Sequence, residues 1–257
     1  MIKFFRKIRY DLMEKNKTAQ YLKYAIGEII LVVIGILLAI SVSAWNVERN
    51  LGKSNEVYLI KLLEELNSNI NRLDFLIFPS NEQIGLDSVV KNCLYILPRF
   101  SKGLEKSDYE FLLNNQMYLG SSQLNLNDAT YEELLNTGKL YSFGSDSLIK
   151  AVKDYYKRYE REKYYNEMWK NVGIKGLDLY QRAMIKLIND HKFSPETFSL
   201  HNFPWVFDKN SKNYTDLQRG IEKFRINQNL DLSKCISLKE DTNKLIETIE
   251  KELKEKY

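Results

Sequence analysis

Hydrophobic positions along the chain follow two rules, and the change between them divides it. From Ala25 to Trp45 it reads AIGEIILVVIGILLAISVSAW, apolar on every face of a helix, with Glu28 the one ionisable residue. At ~1.5 Å per residue that is ~30 Å of helix, the hydrocarbon thickness of a bilayer. Beyond it, apolar residues return at three- and four-residue steps. Leu59, Leu62, Leu66, Ile70, Leu73 and Leu76 make one stripe, ending before Pro79. A second helix over 82–97 carries Val89, Val90, Cys93 and Leu97 and stops at Pro98.

Ser107 with Glu110 has capping-box spacing and opens a short helix towards Tyr118. Residues 120–127 form a polar connector, and 129–137 a short helix with Gly138 suited to its C-terminal cap. The longest element begins at Ser145 or Asp146 and reaches about Asn189, with Gly173 and Gly176 as points of bending. Ser194-Pro195-Glu196 is a further start signal, with Pro at the first helical position. Helices over 213–225 and 232–257 complete the set, the last with a seam of Leu238, Thr242, Leu245, Ile249 and Leu253. No stretch joins β-branched enrichment to period-two alternation. The expected fold is all-α: a single N-terminal transmembrane helix, then an elongated exported helical bundle. The expected divisions are a leader 1–24, a span 25–45 and a domain 46–257.

Charge orients the span. Residues 1–24 hold seven Lys and Arg against Asp11 and Glu14, a net of +5, whereas 46–60 hold only Arg49 and Lys53 as basic groups. Basic residues near a span's ends stay cytoplasmic, so the expected location is the inner membrane, with the C-terminal domain periplasmic. The chain has 38 basic and 34 acidic residues; setting the leader aside leaves 31 against 32. The basic excess is thus a topology signal and an attraction to anionic headgroups, and nucleic acid is not an expected partner. A cleavable secretory signal is the competing reading, since Ser41-Val42-Ser43-Ala44 offers small residues for a signal peptidase. Either way the bulk of the chain is exported.

Within the span, Gly27, Gly35, Ala39 and Ser43 recur at multiples of four, a candidate face for helix–helix contact. Glu28 lies one turn from the cytoplasmic end, either at the headgroups or paired with a partner subunit. The leader spaces Phe5, Ile8, Leu12 and Met13 helically among basic residues, as an amphipathic interfacial helix does.

The run FFRKIRYDLMEKNKTAQYLKYAIGEIILVVIGILLAISVSAWN resembles the opening of an uncharacterised family of single-span flavobacterial membrane proteins. Tyr24 to Ile29, Leu31 to Leu37 and Trp45-Asn46 carry the likeness. A looser one runs through Thr130 to Leu134 and Gly138 to Leu140, then Tyr155-Tyr156. The resemblance implies the same single-span topology and supplies no activity.

Catalytic patterns do not emerge. His191 and His201 are too far apart for a helical pair, and there is no Cys-x-x-Cys, so no metal or other cofactor is expected. There is no nucleophile elbow and no glycine-rich phosphate cradle; Gly144 to Ser147 reads as a helix start. Glu132 and Glu133 point about 100° apart and suit a solvated face. Cys93 and Cys235 could form a disulfide, or Cys93 could simply be buried. Tyr155, Tyr156, Tyr159, Tyr164, Tyr165 and Trp169 read mainly as packing. The aromatic connector holding Phe198, Phe203, Trp205 and Phe207 is either a loop packed over the bundle end or a partner-docking surface. The expectation is non-enzymatic: a membrane-anchored interaction or scaffold domain that binds itself or an envelope protein. The alternative is a periplasmic ligand-sensing domain acting through a partner in trans, since 24 residues cannot fold an output domain.

Overall fold

The computed structural model describes Tyr10 and residues 18–81, 83–120 and 124–256. All regular structure among them is helical, with no strand. The six α-helices are α1 (Thr18–Ile77), α2 (Leu86–Ile96), α3 (Lys106–Asn114), α4 (Ala129–Asn136), α5 (Asp146–Phe193) and α6 (Lys212–Lys256). Two compact units divide between Val57 and Tyr58, twelve residues beyond the expected boundary between 45 and 46. The expected leader helix lies mostly outside the described residues.

In the first unit α1 is apolar all round. Every Ile, Leu and Val from Ile26 to Val42 is 47–63% exposed. Fully burying one such side chain is worth ~1.5–3 kcal/mol, so this surface is stable only against another apolar medium. Its most apolar 18-residue window buries nothing against the protein, and the helix is long and apolar enough to cross a membrane. With 60 residues α1, not α5, is the longest element, because no breaker separates the span from the amphipathic stripe that follows.

The second unit has two apolar cores joined by α5 and α6. Tyr155 with Thr242, Asn166 with Asp231, and Gly176 with Gly220 face each other, so the two helices run antiparallel. Near the start of α5 one core gathers Leu59, Leu62, Leu66 and Leu73 of α1 with Leu238, Leu245 and Ile249 of α6. Near its end the other gathers Val89 and Cys93 of α2, Leu112 of α3, and Leu217, Ile221 and Phe224 of α6. The expected stripes of α1 and α6 contribute to the first core, whereas of the stripe residues only Val89 and Cys93 enter the second; Ile70, Leu97 and Leu253 are only half-buried.

Several boundaries differ from expectation for identifiable reasons. α2 starts at Leu86 rather than 82 because the chain first reverses: Ser80 N–H donates to Gln83 O (2.8 Å), and Gln83 Nε2 to the Phe75 carbonyl (2.7 Å). A Cβ on Gly85 would sit 2.3 Å from the Phe78 carbonyl carbon, so only glycine permits that return. α3 is capped two residues early. Asp108, held by Arg99 at 3.1 Å, accepts from the Glu105 N–H (2.9 Å), so Ser107 and Glu110 are not the capping pair. Ser194 closes α5, and Ser194-Pro195-Glu196 opens a turn rather than a helix. The helices expected over 213–225 and 232–257 are one helix, α6. Gly138 lies at φ 72° where the C-terminal cap of α4 requires it, and α5 begins at Asp146 with Ser145 as its cap.

Candidate functional site

The connector after α5 folds on a three-residue period. Leu200, Phe203 and Val206 fall on successive 3-10 turns and are buried in the second core. Phe203 is therefore core rather than surface. Trp205 is half-buried, edge-on to Tyr109 at 6.0 Å. Tyr109 Oη donates to the Val206 carbonyl (2.9 Å), fixing the connector to α3; burial pushes this phenol's pKa strongly upward. Phe198 is half-buried against the core, and Phe207 is 59% exposed.

Between this connector, the end of α5 and one face of α3 lies a cavity of about 540 Å³. That falls in the size range of small-molecule sites. Leu113, Phe198 and Phe207 give it apolar walls; Lys106, His191 and His201 give it polar ones. His191 meets Phe198 edge-on at 5.0 Å, and His201 stacks on Phe207 at 5.5 Å. These are the only histidines in the chain. The turn at 194–197 brings them to one cavity although their spacing gave no sign of it. Neither imidazole makes a hydrogen bond to a described residue, and Lys106 pairs loosely with Glu110 at 3.6 Å. Among the described residues no group of three or more His, Cys, Asp or Glu could hold a metal ion.

A second polar cluster has a structural explanation. Glu65, buried on α1, accepts from Tyr156 Oη and from the Thr130 N–H (2.6 Å), placing a carboxylate at the N-terminus of α4. Tyr131 stacks on Tyr156 at 4.1 Å. Asn69 exchanges two bonds with the Asn127 backbone (2.8 and 2.6 Å). At the start of α5, Glu252 accepts from the Ser145 N–H and hydroxyl (2.8 and 2.7 Å) and pairs with Lys256. Burial alone would raise the Glu252 pKa, but those partners hold it below its ordinary value.

Between the two cores a buried polar layer crosses α5 and α6. Asn166 donates to Asp231 (2.7 Å), and Gln228 accepts from the Leu119 N–H (3.2 Å) and donates to Asn227 (3.1 Å). Burial raises the Asp231 pKa to about 6, against smaller lowerings by the Asn166 hydrogen bond and by Lys234, whose buried Nζ has no hydrogen-bond partner among the described residues. Tyr164, Tyr165, Met168 and Trp169 are exposed on the same stretch of α5, so that aromatic run is only partly packing. Cys93 and Cys235 are free, each in a different core.

In the first unit, Gly27, Gly35, Ala39 and Ser43 are all exposed, and a Cβ on either glycine would meet nothing within 4 Å. Glu28 is half-exposed and partnered.

A family model described as a family of unknown function, DUF6090, matches residues 28–190, well over half of the 257. The chain belongs to DUF6090. The match takes in the span from Glu28, the Glu65 network with Tyr131 and Tyr156, and nearly all of α5. It leaves out the leader, His191, the aromatic connector and α6, so DUF6090 membership does not carry the cavity. An uncharacterised family is also what the sequence resemblance named. No curated protein and no solved structure matches the chain.

Proposed function

We propose that this DUF6090 member is a single-pass protein of the inner membrane whose periplasmic helical domain binds a partner, either a second copy or an envelope protein. The supporting observation is the segment from Ile26 to Val42, apolar on all sides and covered by nothing among the described residues. The +5 leader supports a cytoplasmic N-terminus and contact with anionic headgroups. No nucleic-acid contact is part of this role, since the charge outside the leader is balanced. Gly27, Gly35, Ala39 and Ser43 supply a face for association within the membrane.

The proposed role is non-enzymatic, in keeping with a sequence that has neither a nucleophile elbow nor a glycine-rich phosphate cradle. Two fusions test the topology. Alkaline phosphatase on the C-terminus is expected to be active and an N-terminal epitope to stay in the membrane fraction; loss of the epitope on export would replace the anchor with a cleaved signal. Gly35→Cys is expected to crosslink in membranes, and a purely monomeric result would remove self-association. The cavity beside His191 and His201 favours a second reading, a ligand-sensing domain whose output passes through a partner.

A further inference from the structure

Resting on the reading of the 540 Å³ cavity as a ligand site, we infer that its ligand is a small aromatic carboxylate. The apolar part of such a molecule matches the walls. Phe207 and His201 present stacked rings, and Phe198 and Leu113 add further apolar lining. The polar part follows from which groups are already committed. Glu110 is matched by Lys106, and the Tyr109 hydroxyl proton is taken by the Val206 carbonyl.

What remains is the two imidazoles, held in place by ring contacts and hydrogen-bonded to no described residue. An imidazole beside an anion favours its protonated form and then donates a charge-assisted hydrogen bond. A ligand ammonium would instead add a positive charge beside Lys106, in a cavity whose one carboxylate, Glu110, already pairs with that lysine. A carboxylate bridging His191 and His201, with Lys106 at the rim, answers both the shape and the charge.

The chain's two histidines both line this cavity, so ring-labelled histidine reports on it alone. The full chain in lipid nanodiscs, labelled in its histidine rings, would be titrated with 3-phenylpropionate, 3-phenylpropanol and 3-phenylpropylamine while the imidazole resonances are followed. Saturable shifts of both resonances are expected with the carboxylate, at least tenfold tighter than with the alcohol or the amine. His191→Phe and His201→Phe keep the ring contacts and remove the donors. Each is expected to weaken 3-phenylpropionate about tenfold, the cost of one hydrogen bond to a charged group. Equal or tighter binding of the alcohol or amine would overturn the carboxylate assignment and leave the cavity a ligand site. Silence from both histidines with all three probes would overturn the ligand site itself.

Discussion

Asp231 sits in the layer between the two cores, 3% exposed, and the fold holds it ionised at neutral pH at a cost. Burial raises its pKa from the ordinary 3.8 to about 6, although Asn166 donates to it and Lys234 lies near. A folded-state pKa above the unfolded one means the native state binds the proton more tightly between those two values. Stability therefore falls as pH rises from about 4 to about 6, and above that the full penalty is present. At 1.36 kcal/mol per pH unit the penalty is ~3 kcal/mol.

Asp231→Asn removes it while keeping an oxygen to accept from Asn166. The new amide N–H must find an acceptor in a buried site, at ~1 kcal/mol, which leaves a net gain of ~2 kcal/mol above pH 6. For a domain of this size that is about 4–8 °C in Tm. The assay is tryptophan fluorescence during thermal unfolding of the full chain in detergent, wild type against variant, from pH 4 to pH 8. Losses that come from other carboxylates are common to both proteins and cancel in the difference. The advantage of the variant should be largest at pH 8 and turn into a small disadvantage, below ~1 kcal/mol, by pH 4. A variant less stable than wild type at pH 8, or a difference independent of pH, would refute the argument.

Tyr156→Phe takes one of the two bonds from the buried Glu65 carboxylate and should cost ~1–3 kcal/mol in the same unfolding assay, with Glu65→Gln in the double variant recovering part of it. Gly220→Ala should cost ~1–3 kcal/mol, because a Cβ there would lie 3.0 Å from the Gly176 carbonyl oxygen and from the Tyr180 nitrogen, forcing α5 and α6 apart. Burial pushes the Cys93 and Cys235 thiols up to about 12, so neither should alkylate in the native protein at pH 8, and both should alkylate after denaturation without reductant, as mass spectrometry would read.

Where the sequence was legible, apolar side chains lay on one face at helical spacing. The stripes of α1 and α6, the left-handed Gly138 and the Ser145 cap follow from period and turn chemistry, and the structure has them. What the pattern could not show is that polar residues also occupy inward positions. Glu65 and Asn69 take turns of the α1 stripe beside which Ile70 is only half-buried, and they bond to a loop about sixty residues away. The same effect divided α6 in two: Asn227, Gln228 and Asp231 interrupt the apolar period and read as a connector. Their partners, Trp169, Leu119 and Asn166, are distant in sequence and invisible to it. Gly173 and Gly176 read as bends for a related reason, since the Asn227 side chain and the Gly220 backbone that fill their missing Cβ positions lie on another helix.

The cavity was illegible in a different way. Its histidines are ten residues apart and line one cavity only because the chain turns at 194–197. These polar contacts bear on register as well as on prediction. Sliding α6 past α5 by one turn could still bury leucines, whereas it would part Asn166 from Asp231 and drive the Gly220 backbone against side chains. The residues that hid the helix from a reading of hydrophobic period are thus the ones that oppose its sliding. Asp231→Asn keeps that bond and removes only the charge, so it should raise stability without changing which residues α5 and α6 bring together.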